Sequence, residues 1–427
     1  MDLTIEGKAY INGSFENCCI GINEGKISSI KKILKSENHI NFGKKLILPA
    51  GIDIHVHFRD PGHTYKEDFK TGSKASAFGG ISCIFDMPNT TPQTNNIRTI
   101  IEKKRIAENK CYVDFGVYAA VTNDNIESIV DMSRHCSGFK LFLGNTTNSL
   151  NINEKKLSEI LKQTALLKKI TLFHAENEQC LRRNSAVEFN LKDHFFHRPS
   201  ECEEISIKHI LDSSREKRPN IHICHLSSCE GFELLRRRDN NISIGVTPHH
   251  LLFDIENVKS KQTFHKVNPP IRTKFDRETL WYALKNGLID VLESDHAPHT
   301  IEDKETDFDN APSGMPGVET MYPLFLAEAK KGNISFQRLI SLLSEKPAEL
   351  MNIPKGRIEI GRDADLIVVD IKKVSKIKQD AIHSKCGWTP YEGRSAIFPT
   401  HVFVRGEKLI EENEIQVKQG FGKFVGE

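Results

Sequence analysis

The sequence predicts an α/β protein, a (β/α)8 TIM barrel with a small β-sandwich domain formed from both termini. Three observations carry that expectation. Eight short, β-branched apolar runs recur between residues 46 and 295, amphipathic stretches separate them, and both ends of the chain show only strand and turn character. Short, nearly continuous apolar runs are what strands buried on both faces require, and strands alternating with helices form a parallel sheet. Eight such units in one chain close into a barrel.

The N-terminal flank holds Thr4 to Ile11, Phe15 to Ile22 and Lys26 to Ile33, with turns at Asn12-Gly13 and Glu24-Gly25. That is a hairpin pattern without a helix. The barrel runs follow as Leu46 to His57, Ile81 to Met87, Val113 to Ala120, Gly138 to Leu143, Ile170 to His174, Ile221 to His225, Ile242 to Thr247 and Ile289 to Asp295. Helical patterns between them include Ile97 to Asn109, Glu154 to Lys168, Cys202 to Lys217 and Arg277 to Asn286. A last helical stretch ends near Met351. Strand character then returns at Arg357 to Glu359, Asp365 to Val369 and His401 to Val404, with a turn at Arg405-Gly406. Neither terminal β segment can bury a core alone, so the two are expected to pack together. The expected division is 1–48 with 355–427 as a composite sandwich, and 49–354 as the barrel.

Composition narrows the function. The 427 residues carry 59 Lys+Arg against 57 Asp+Glu, a formal charge of +2, which argues against a surface that coats nucleic acid. No apolar stretch approaches the roughly 18 residues of a membrane span, and the start lacks the pattern of a secretory leader. A cytoplasmic protein is therefore expected. Ten cysteines are too sparse for a disulfide framework and form no C-x-x-C knuckle, so most are expected to be small buried hydrophobes.

The eighteen histidines say more, because several stand where barrel strands end. In this fold the chemistry sits at the C-terminal ends of the strands. The first run ends His55-Val56-His57, whose period-two spacing turns both imidazoles to one side. Lys140 lies in the fourth run, His174 ends the fifth, His225 the sixth and Asp295 the eighth. A lone strand-end histidine is usually a satisfied core residue, but four with an aspartate in one barrel point to metal. Six such groups exceed what one tetrahedral zinc uses, so two metals fit better. A lysine ammonium facing two dications would be repelled, whereas carboxylation by CO2 makes Lys140 an anion able to bridge them.

On these residues the sequence resembles the amidohydrolase superfamily and, within it, the dihydroorotases. The resemblance runs over nearly the whole chain. Its most specific pieces are His55-Val56-His57-Phe58-Arg59-Asp60-Pro61-Gly62, Asp86-Met87-Pro88-Asn89-Thr90 and Ser294-Asp295-His296-Ala297-Pro298-His299. Val267-Asn268-Pro269-Pro270-Ile271-Arg272 and Pro312-Ser313-Gly314-Met315-Pro316-Gly317-Val318-Glu319-Thr320 are similar to loops on the family's substrate side. The resemblance implies that Arg59, Asn89, Asn268 and His299 bind substrate. It also implies two Zn2+ held by His55, His57, Lys140, His174, His225 and Asp295, bridged by carboxylated Lys140 and a hydroxide. Asp295 would double as the catalytic proton shuttle. An aspartate bridges in some branches, but the stretch after Lys140 carries no acid.

The implied activity is reversible cyclisation of N-carbamoyl-L-aspartate to dihydroorotate in pyrimidine biosynthesis. Its alternatives are an allantoinase, a hydantoinase or dihydropyrimidinase, or a non-catalytic scaffold. Arg59 counts against the hydantoinases, and the intact ligand set counts against the scaffold. A homodimer and an association with aspartate carbamoyltransferase are family-level expectations. Thr146-Thr147 are read as part of a solvated polar loop, the alternative being the loop that closes on substrate in one branch of the family. His249-His250 are expected to support the site from a helix start, and His296 to hydrogen-bond away from it. His63, His194, His197 and His222 receive no role.

Overall fold

The computed structural model describes residues 1–144 and 150–426, so the Thr146-Thr147 expectation lies outside the described residues. Four strands open the chain, β1 (Leu3–Ile11), β2 (Ser14–Asn23), β3 (Lys26–Lys31) and β4 (His39–Pro49). Asn12, Gly13, Glu24 and Gly25 all take positive φ, as two-residue hairpin turns demand. At Ala50 the chain changes sheets. Ala50 N–H bonds Asp365 O at 3.0 Å, while Gly51 N–H bonds Gly80 O at 2.9 Å. The run Leu46 to His57, expected as one barrel strand, is therefore two, because Leu46 to Pro49 pairs with a strand from the other end of the chain. The apolar pattern was continuous because both pieces are buried.

The barrel strands are β5 (Gly51–Val56), β6 (Ile81–Asp86), β7 (Asp114–Ala120), β8 (Gly138–Phe142), β9 (Thr171–His174), β10 (Ile221–Ile223), β11 (Ile242–Val246) and β12 (Val291–Leu292). They form one sheet in sequential order, with parallel neighbours. A bridge between Val56 and His296, with His57 N–H on His296 O at 2.8 Å, links its two edges. The helices lie where the pattern put them, at Ile97–Lys110, Leu157–Leu167, Ser200–Ser214 and Lys274–Lys285. Asn96 and Thr273 start two of them with reciprocal capping boxes.

After the helix Lys346–Met351 come β13 (Leu366–Val369), β14 (Ser375–Lys376), β15 (Ser395–Ala396), β16 (His401–Val404), β17 (Glu407–Glu411) and β18 (Glu414–Ile415). Arg357 to Glu359 is not a strand. Gly356 and Gly361, both at positive φ, turn the backbone on either side of it. The terminal strands make one eight-stranded sheet, ordered β18-β17-β16-β13-β4-β1-β2-β3. This sheet curls so that Ile27 N–H reaches Arg362 O, enclosing a core that includes Ile5, Ile20, Ile47, Leu366 and Phe403. Two parts of the C-terminal stretch leave it for the barrel. Trp388 Nε1 donates to His299 O at 2.7 Å, and Val425 N–H bonds Phe115 O at 2.8 Å.

The cysteine expectation needs one correction, since Cys180 and Cys202 form a disulfide between the helices Glu178–Asn184 and Ser200–Ser214. Nothing in their sequence spacing marked them as a pair. Among the described residues no helix is long and apolar enough to cross a membrane.

Candidate metal centre and active site

One pocket at the C-terminal ends of the barrel strands is lined by His55, His57, Arg59, Asn89, Lys140, His174, His225, Asn268 and Asp295. Nine of the ten site residues expected from sequence thus meet at one place. The tenth, His299, stands behind Arg59, with Nε2 at 3.3 Å from Arg59 Nη2. Three of these residues hold backbone conformations rare outside glycine: Arg59 at φ +62°, His225 at +38° and Asp295 at +44°. Such strain persists where the surroundings enforce it, and it marks functional positions. Gly62, at φ +104°, lets the loop after β5 lie against Thr91, since a Cβ there would fall 2.4 Å from Thr91 O.

His55 Nε2 and His57 Nε2 converge on Asp295 Oδ1 at 3.3 and 3.1 Å. Asn89 Oδ1 faces the other nitrogen of His57 at 2.7 Å, so this residue both lines the pocket and fixes that ring. Across the pocket, His174 donates from Nε2 to Glu176 at 2.8 Å, and Arg198 Nη2 donates to the same carboxylate at 2.5 Å. His174 therefore presents Nδ1 inward, 3.1 Å from His225 Nε2. Lys140 is fully buried, its Nζ 3.1 Å from Cys224 Sγ.

Burial pushes His57 down to about 4 and His225 well below the ordinary histidine range, so both are neutral at pH 7. Neutral imidazoles are what a metal needs. Burial and Lys140 press His55 the same way, but Asp295, Cys224 and Glu293 outweigh them and carry it to about 10. Burial alone would raise Asp295, yet His55 and His57 hold it well below the carboxylate range. Burial lowers Arg59 to about 10, which leaves it cationic.

The donor set fits a metal. His55, His57 and Asp295 bring ligand atoms within 4.8 Å of one another, as do His55, Cys224 and Glu293, and the imidazoles of His174 and His225 stand 3.1 Å apart in the pocket that Lys140 also lines. Sequence reasoning missed four supporting residues. Glu176 orients His174, and Glu293, next to the strand-eight motif, accepts the His225 N–H at 2.6 Å. His194 Nε2 lies 3.0 Å from Asn268 Oδ1, and Lys66 Nζ lies 2.9 Å from His299 Nδ1. The available signal was a carboxylate two residues from a ligand in an otherwise apolar run. His249 and His250 do start a helix, Pro248–Leu252, capped by Thr247. His296 turns away from the pocket, its Nδ1 accepting from Gly317 N–H at 3.1 Å.

Comparison with known proteins gives the same reading. The amidohydrolase family profile matches residues 46–406. The dihydroorotase of Methanosarcina acetivorans is 38% identical over 98% of this chain and 94% of its own length, and that of Archaeoglobus fulgidus is 36% identical over 99% and 100%. Among solved structures, an L-hydantoinase (dihydropyrimidinase) from Arthrobacter aurescens superposes with a TM-score of 0.95 at 29% identity, covering 99% of both chains. The barrel is thus shared with hydantoinases while the sequence follows the dihydroorotases over its full length, and the chain belongs to the dihydroorotase branch of the amidohydrolase family.

Proposed function

We propose that the chain interconverts N-carbamoyl-L-aspartate and dihydroorotate at this pocket, using two Zn2+ held by His55, His57, Lys140, His174, His225 and Asp295. The observation that carries the substrate assignment is Arg59. A buried guanidinium beside the metal-ligating group is an expensive feature unless an anion meets it. A substrate carboxylate does so through a charge-assisted fork, with Asn89, Asn268 and His299 completing the clamp. Full-length similarity to dihydroorotases supports the same choice.

When bound, such ions lower the pKa of water from about 15.7 toward 7 and polarise a carbonyl. The protein's own groups supply the rest. Asp295 Oδ1, an anion aimed between His55 and His57, accepts a proton from the attacking water and returns it to the leaving ring nitrogen. In the biosynthetic direction it moves the proton the other way. Lys140, buried and within the ligand cluster, carries a carboxylate formed from CO2 in this reading, which turns a repelled cation into a ligand.

Turnover of dihydroorotate, allantoin and hydantoin by the purified protein, with a metal count per chain, tests the proposal. Hydrolysis of dihydroorotate with two metals supports it. Preference for allantoin or hydantoin would replace the substrate, and absence of metal and turnover together would leave a scaffold.

A further inference from the structure

Strand β12 runs on into Glu293, a carboxylate that the activity does not call for. Glu293 is fully buried, and so is its neighbour His222. Its Oε1 accepts the His225 backbone N–H at 2.6 Å, the amide of a residue at φ +38°. Its Oε2 lies 3.4 Å from His55 Nδ1 and 3.3 Å from His222 Nε2. His222 in turn bonds Ser243 Oγ at 2.8 Å. His55 Nδ1 has no hydrogen-bond partner among the described residues, so Glu293 is the acceptor within reach of it.

The barrel makes room for this arrangement. At Gly245 on β11, a Cβ would fall 2.4 Å from Glu293 Oε1 and 2.7 Å from His222 Nε2. A buried carboxylate costs several kcal/mol and is commonly bettered by an apolar residue where stability alone matters. Here it touches two separate ligands of one centre. A ligand imidazole that donates its remote N–H to a carboxylate has its tautomer and ring orientation fixed.

We propose that Glu293 is the positioning residue of the metal centre, holding His55 with Nε2 toward the pocket and clamping the strained backbone of His225. The inference rests on the metal-ligand reading above. One carboxylate thereby ties a ligand from β5 to a ligand following β10, from beneath the pocket and without contact with substrate. Gly245 and His222 belong to the same device, the first by leaving space and the second by holding Oε2.

The test is zinc affinity of the purified full chain by competition with a chromogenic chelator, with thermal unfolding of the metal-stripped proteins measured in parallel. Glu293→Ala and Gly245→Ala, the latter displacing the carboxylate without removing it, are expected to weaken zinc binding by about 10- to 100-fold. Glu293→Gln keeps an acceptor oxygen and is expected to fold and fall between wild type and Glu293→Ala. In turnover at saturating zinc, kcat should drop while KM for dihydroorotate stays within about twofold, since Glu293 faces ligands and not the substrate clamp. Wild-type zinc affinity in Glu293→Gln and Gly245→Ala, with only the unfolding temperature altered, would reduce Glu293 to a structural residue and overturn the proposal. Wild-type protein that binds no zinc would overturn the metal reading itself, an outcome distinct from equal affinities.

Discussion

At the scale of single residues, the proposed reaction divides the work between Arg59 and Asp295. Arg59 is a cation at the pocket wall, and Asp295 is an anion on the imidazoles of His55 and His57. Arg59→Met should raise KM for dihydroorotate by two orders of magnitude or more with a smaller change in kcat, because a charged hydrogen-bonded clamp contributes about 1.5–3 kcal/mol per contact. Asp295→Ala should abolish turnover while part of the metal stays bound; matching kinetic defects in the two variants would refute the division. Lys140→Ala should lose metal by elemental count, and short carboxylic acids should restore some activity if a carboxylate is what the site lacks. No rescue together with full metal content would exclude a bridging role. These residues were legible because each stands at a strand end or in a motif. Glu176, His194 and His222 were not, although each is buried. A satisfied core polar and a support for a ligand look identical until the partner is known, and the partners here lie on other strands or loops, or two residues along the chain.

At the scale of elements, the loops that shape the pocket are pinned by a polar cluster whose His194 and Lys266 are buried. Glu188, in the stretch before the helix Leu191–His197, accepts from His194 Nδ1 at 2.8 Å and pairs with Lys266 Nζ at 3.1 Å. Lys266 also bonds Phe308 O at 2.8 Å, so one cluster joins three loops around Asn268. Burial would raise Glu188, but His194 and Lys266 hold it down at about 2, below the ordinary 4.5. A depressed carboxylate contributes stability that is complete above pH 4.5 and disappears as the pH falls toward 2. Glu188→Gln should therefore melt below wild type at neutral pH, and the gap should close between those two values. Melting curves that stay parallel to pH 2 would show that this cluster does not hold the loops. Helix positions were predicted within a few residues because amphipathic period and caps are local. The break at Ala50 was not, since the end of β4, Leu46 to Pro49, and β5 are both buried and only the partners of the chain at the break, Asp365 and Gly80, distinguish them.

At the scale of the molecule, the C-terminal part of the chain must return to the barrel, and a buried ion cluster joins the two there. Lys355 is fully buried, with Nζ at 2.7 Å from Asp114, 2.8 Å from Asp365 and 3.1 Å from Asp363. Asp114 begins β7, Asp365 precedes β13, and Arg405 in the β16–β17 turn adds a second cation to Asp114. The strand patterns at both ends pointed to one small β-sandwich packed from the two termini, but no pattern could announce that three acids spread over 252 positions meet one lysine. Asp114 lies at the opening end of its strand, while the pocket occupies the closing ends, so the cluster can hold the two sheets together without touching substrate or ligands. Removing Lys355 leaves the buried Asp365 carboxylate without its cation, a loss of about 3–5 kcal/mol. Lys355→Met should accordingly lower the unfolding temperature by several degrees or more, while zinc affinity and KM at temperatures below the transition remain those of wild type. An unchanged melting temperature, or a loss of zinc affinity in the folded variant, would show that the junction and the site are not the separate systems their positions at opposite ends of the barrel imply.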